Sequence, residues 1–203
     1  RNFSAFALYL VLLGAAQAVT LGLAGAYLWP DDPEWDALTR RIAPGVAVAA
    51  ALWLVKVLTE PARFSRALDL VCWSFIAALL SAVAVHAHVD TPASAALVDR
   101  LAAGALLVAG GLLALAWRKG RDPAIGWIVL GFVPAGAMAV FPLAQQLDWV
   151  GESALTRHGL VLGTTLQLPL LFYALGRRAS RRREAGVRAS QLHYTDALTG
   201  LND

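Results

Sequence analysis

The chain has 203 residues, of which 58% are hydrophobic and only 15% charged, and its mean hydropathy is +0.59. A soluble domain carries about 25% charged residues, so long blocks this apolar exclude an ordinary soluble globule, a disordered tail and a disulfide scaffold. The net charge of +3 could suit a nucleic acid, but the arginines cluster beside apolar runs, which points to a lipid bilayer as the partner and not to nucleic acid. The single cysteine, Cys72, lies in an apolar stretch and leaves no internal disulfide possible.

A helix needs about 20 mostly apolar residues to cross a bilayer. Six stretches qualify, over roughly 3–29, 42–59, 67–89, 95–117, 124–146 and 156–176. The expected fold is all-α, an integral membrane bundle of six transmembrane helices whose last member continues beyond the membrane. The first block is too long for a signal peptide and no cleavage site follows it. Along it Gly14, Ala18, Gly22 and Ala26 recur at intervals of four. Lipid offers helices no hydrophobic reason to associate, so this stripe predicts close packing inside the bundle. The loop that follows is acidic, with Asp31, Asp32, Glu34 and Asp36.

The second span is the shortest, with Pro44 at its start. Near its end Lys56 has Glu60 four residues on, a spacing at which the two charges pair while the lysine snorkels. Asp69 opens the third span close to Arg66. At the far end of that span, His86, His88 and Asp90 bear metal-ligating groups. Positions two apart on a helix project about 200° from each other, so the histidines share no face. The set also falls short of the four ligands a structural zinc requires, and a polar helix end is the expected reading. Asp99 and Arg100 lie near the outer end of the fourth span, which also carries Ala105, Ala109 and the Gly110-Gly111 pair. Pro134, Pro142 and Pro169 lie within spans and should kink or hinge them.

At mid-depth the polar groups are Gln17, Thr164, Thr165 and Gln167, all uncharged and suited to interhelical hydrogen bonds. No series of acids and bases crosses the spans, which disfavours a proton-coupled transporter. Gly-rich phosphate loops, paired catalytic carboxylates and nucleophile–base motifs are missing from the spans. No catalytic, cofactor-binding or metal residue is assigned.

Orientation follows from the basic residues of the connections. Three of them, Arg40, Arg41 and Arg157, fall in the first, third and fifth loops. Twelve fall in the two ends and the second and fourth loops: Arg1, Arg63, Arg66, Arg118, Lys119, Arg121, Arg177, Arg178, Arg181, Arg182, Arg183 and Arg188. Both ends are therefore expected in the cytoplasm. Trp29 and Trp149 would lie near the outer interface, Trp117 and Trp127 near the inner one.

After Pro169 helical periodicity runs on until about Thr195, with Gly186 as an interruption. The last helix should thus leave the membrane as a rod through Arg177-Arg178 and Arg181-Arg182-Arg183. Leu175, Ala185, Ala189 and Leu192 outline a poor coiled-coil seam, because Arg178 and Arg182 occupy intervening positions. The arginine run is suited to anionic headgroups.

The final residues, Asp196-Ala197-Leu198-Thr199-Gly200-Leu201, resemble the opening motif of GGDEF-type diguanylate cyclase domains, D-x-L-T-G-L-x-N-R. The sequence departs from that pattern at Asp203, where the family usually has asparagine. The membrane part resembles the bacterial seven-transmembrane receptors with diverse intracellular signalling modules. Gly22-Leu23-Ala24 with Tyr27-Leu28-Trp29-Pro30 is similar to their second helix, and Gly163-Thr164-Thr165-Leu166-Gln167 with Leu170-Leu171, Ala174-Leu175 and Arg178 to their last. Gln167 stands where the family commonly has glutamate, so a role needing charge there does not carry over.

The resemblance implies three parts: helices two to seven over 1–176, a cytoplasmic signalling helix over 177–195, and the first residues of a GGDEF domain over 196–203. A start at Arg1 and an end inside a motif read as truncation at both ends, with a first helix and a periplasmic sensory domain preceding. It further implies a multi-pass protein of the bacterial inner membrane, with Gln167, Pro169, Arg177 and Arg178 transmitting the signal. A homodimer of cyclase domains would then convert two GTP, with magnesium, to cyclic di-GMP. The alternatives are a degenerate GGDEF domain, a phosphodiesterase output, or a small transporter or channel.

Overall fold

The computed structural model describes residues 2–119, 124–146, 149–151 and 153–193. Their order is α1 (Asn2–Thr20), α2 (Leu23–Tyr27), α3 (Pro33–Thr59), a single 3-10 turn (Pro61–Arg63), α4 (Arg66–His88), α5 (Pro92–Lys119), α6 (Ala124–Gln146) and α7 (Ala154–His193). No strand occurs among the described residues. The fold is all-α, as expected. Five helices are long and apolar enough to cross a membrane; the apolar part of α6, Ile125–Phe141, is shorter.

The first expected span breaks in two. Gly22 sits at φ +74°, a left-handed conformation that costs a residue with a Cβ about 1–2 kcal/mol. Val19 and Gln17 carbonyls accept from Gly22 and Leu21 N–H, which closes α1 at this point. The break removes Gly22 and Ala26 from the small-residue stripe. Of the remainder, Ala18 is half-buried, but Gly14 is exposed, and a Cβ built there meets nothing within 4 Å. The face α1 buries is Ala5, Phe6, Tyr9, Ala16 and Val19. On α5 the outcome is mixed, with Ala105 and Ala109 buried and Gly110 and Gly111 facing out.

The second expected span is longer than 42–59. Helix α3 begins at Pro33, where the Asp32 side chain accepts the Trp35 N–H at 2.9 Å. Proline at the first position needs no N–H partner, and Glu34 and Asp36 complement the positive end of the helix dipole. Hydropathy misses this segment because it is polar; helix capping explains it. Pro44 lies inside the helix instead of at its start.

Helix α3 is the hub and packs against α1, α4 and α5, while α6 and α7 pack chiefly on each other. Ile76, Leu79, Leu52, Leu54, Leu58 and Ala105 belong to a core that extends to Leu171, Ala174 and Leu175 of α7. Between α6 and α7 the backbones approach closely. A Cβ on Gly163 would lie 2.7 Å from the Pro134 carbonyl oxygen, and one on Gly131 2.7 Å from the Leu171 side chain. Glycine at both sites lets the pair interlock.

Charge pairing also differs from the expectation. Lys56 Nζ reaches Asp69 Oδ1 at 2.8 Å across the α3–α4 hairpin and lies 4.7 Å from the centre of the Trp73 ring. Neither Glu60 with Lys56 nor Asp69 with Arg66 is the pair that forms. At the opposite end Arg41 bridges to Asp90, and His86 Nδ1 hydrogen-bonds Ser94 Oγ at 2.8 Å. His86 is buried there, so the polar helix end serves to join α4 to α5.

Candidate signal-transmission site

Helix α7 runs 40 residues without interruption, Pro169 included. Proline lacks the N–H that would bond the Thr165 carbonyl, and its ring lies on the exposed side. The opposite side carries Thr164, Gln167, Leu171, Ala174, Leu175 and Arg178, all buried. Steps of three and four put these side chains on one face, which meets α1 at Thr164 and Gln167, α6 at Leu171 and α3 at Arg178.

Each end of that face is polar. Gln17 Nε2 donates to Thr164 Oγ1, and Tyr9 Oη donates to Gln167 Oε1 at 3.3 Å. Gln167 is fully buried, and its Nε2 has no partner among the described residues. Gln17, Thr164 and Gln167 therefore join helices, as expected, with Tyr9 as an addition that sequence pattern did not single out, whereas Thr165 is exposed and donates to the Val161 carbonyl of its own helix. Nothing in its apolar surroundings marked Tyr9: a tyrosine in a span reads equally well as an interface anchor.

The other end is built on arginine. Arg178 is only 6% exposed. Its Nη1 donates to the Leu58 carbonyl at 2.9 Å, and its Nη2 lies 3.9 Å from Glu60 Oε1. The last carbonyls of a helix lack intrahelical partners and form the negative end of its dipole, so a cation is favoured there. Glu60 adds a carboxylate, held also by Arg63 at 2.5 Å. Arg178 thus departs from the exposed arginines around it. Arg177, its neighbour, faces out, donating to the Tyr173 hydroxyl at 3.0 Å beside the Trp127–Tyr173 edge contact.

Of the transmission residues expected from sequence, the fold brings Gln167 and Arg178 onto the inward face and places Pro169 and Arg177 outside. Asp196, Leu198, Thr199, Gly200 and Leu201 of the GGDEF-like motif lie outside the described residues.

Residues 1–178 match the family model described as 7TM diverse intracellular signalling. The chain belongs to this family. The match closes at Arg178, the residue at which α7 makes its last described contact with α3. No curated protein and no solved structure matches the chain. A multi-pass membrane signalling region is thereby established for the seven-transmembrane receptor part. The inward face of α7 meets α1 through Thr164 and Gln167 and the end of α3 through Arg178.

Proposed function

We propose that this chain is the sensor and transmission module of a bacterial inner-membrane receptor that controls a C-terminal diguanylate cyclase, which joins two GTP into cyclic di-GMP. The observation that carries the reading is the continuity of α7 from Ala154 to His193, in a sequence whose GGDEF-like motif begins at Asp196. At about 1.5 Å per residue, the part after Arg178 would carry a shift roughly 20–25 Å away from the bundle. Rotation or sliding of the inward face, with Gln167 and Arg178 exchanging partners and Arg177 and Pro169 on the outer side, would reposition whatever follows.

In this reading both ends of the chain face the cytoplasm, because the connections rich in arginine and lysine stay inside. The three-part division at 176 and 195 then separates bundle, lever and output. A sensory domain preceding Arg1 would supply the stimulus, and a homodimer would bring two cyclase domains together. GTP and magnesium would be held by the downstream domain, where the metal would offset phosphate charge, while this chain's residues would position that domain.

The test is GTP turnover in liposomes by the chain with its downstream sequence restored. Cyclic di-GMP as the product is the expected result. A folded, membrane-inserted protein that makes none overturns the cyclase output. Cyclic di-GMP hydrolysis instead would assign the phosphodiesterase alternative.

A further inference from the structure

We propose that Arg178 and the C-terminal turn of α3 form a releasable latch, which holds the α6–α7 pair in one register against the rest of the bundle. The proposal rests on reading α7 as the output helix and makes α3 the element that controls it. Four observations converge on the same few atoms. Arg178 is buried although it lies in an arginine-rich segment, and its guanidinium is spent on a backbone carbonyl of another helix 120 positions away. Glu60, at φ 49° and ψ 60°, is the one non-glycine residue at positive φ among the described residues. Held backbone strain of that kind persists where surrounding contacts impose it. The Glu60 carboxylate has both Arg63 and Arg178 within reach, at 2.5 and 3.9 Å, so these cations compete for it. Finally, α6 and α7 interlock with each other more closely than with the four helices α1, α3, α4 and α5.

Together these features make two arrangements available. With Arg178 seated on Leu58 O and Glu60, the pair is locked at the point where α7 leaves the bundle. With Glu60 given wholly to Arg63, the seat loses its carboxylate and the helix pair can shift. Displacement of α3 would change this sharing, because Leu58 and Glu60 move with its last turn.

The experiment is a distance measurement on the full chain in lipid nanodiscs, with spin labels at Leu70→Cys on α4 and Ser180→Cys on α7 and with Cys72→Ala. Both label sites are exposed. The unaltered latch should yield one narrow distance. Arg178→Ala and Glu60→Gln should each add a second population, displaced by up to about one helical turn, roughly 5 Å. Arg178→Lys keeps the charge without the fork and should give a smaller second population; Arg63→Gln removes the competitor and should give none. Unchanged distances in Arg178→Ala, Glu60→Gln and Arg178→Lys, each with native helix content by circular dichroism, overturn the latch. Altered distances, with unaltered cyclic di-GMP synthesis when the same variants carry the downstream sequence, support the latch and overturn the output reading of α7.

Discussion

Tyr9 on α1 and Gln167 on α7, separated by 158 positions, meet in the interior, where the phenol donates to the amide oxygen at 3.3 Å. The bond ties the first helix to the last, and the Gln167 amide nitrogen beside it has no partner among the described residues. Interhelical hydrogen bonds in membrane proteins are worth about 0.6 kcal/mol on average, while a stranded buried polar group costs about 1–3 kcal/mol. Tyr9→Phe is therefore expected to destabilise by roughly 1–2 kcal/mol. Gln167→Leu in the Tyr9→Phe background should recover most of that loss. Reversible unfolding in mixed micelles measures both, and a cycle with simple additivity would contradict the pairing.

Gly163 and Gly14 should respond oppositely to alanine. At Gly163 the new Cβ would stand 2.7 Å from a carbonyl oxygen of α6, so the α6–α7 pair must part; the expected cost is about 1–3 kcal/mol. At Gly14 nothing lies within 4 Å, and alanine should stabilise α1 by up to about 1 kcal/mol through helix propensity. The unfolding midpoints of the two variants check this in one comparison.

Asp69→Asn should cost about 1–3 kcal/mol, because it leaves Lys56 half-buried without its counter-charge. Replacing both residues, Lys56→Met with Asp69→Leu, should restore most of the stability, since an apolar pair avoids burying either charge. Stability of the single and double variants under the same denaturing conditions provides the measurement.

Ser180→Pro separates the lever from the bundle. A proline there removes the hydrogen bond to the Gly176 carbonyl and kinks the helix, at a local cost of about 3 kcal/mol. Ser180 is exposed and lies beyond Arg178, the last buried side chain of α7 among the described residues, so the rest of the bundle should keep its unfolding midpoint. Mobility of spin labels placed after residue 180 should rise, and control of any downstream domain should be lost. A label series as immobile as in the unaltered chain would contradict the kink.

The apolar helices were legible because hydropathy over about 20 residues is a property of local composition. Their limits were less so. Polar residues 33–41 hid the start of α3, although Asp32-Pro33-Glu34 carries capping chemistry that marks it. Gly22 was visible as part of a repeat, but the repeat did not disclose that its backbone turns left-handed and ends α1. In the candidate site Gln167 and Arg178 were singled out by the family resemblance, whereas their partners Tyr9 and Leu58 were not, and Glu60 was assigned to Lys56.

From the sequence by itself came a helical membrane bundle, a long terminal helix and the suitability of its mid-depth polar groups for joining helices. These depend on composition and on a 3.6-residue repeat, both of which are local. Only the tertiary structure decided that Lys56 takes Asp69, that Arg178 turns inward to α3, and that α6 and α7 interlock. Each of these depends on which helix faces which, and at what depth. Linear spacing places Glu60 within reach of Lys56; the packed helices bring Asp69 closer and leave Glu60 to the arginines.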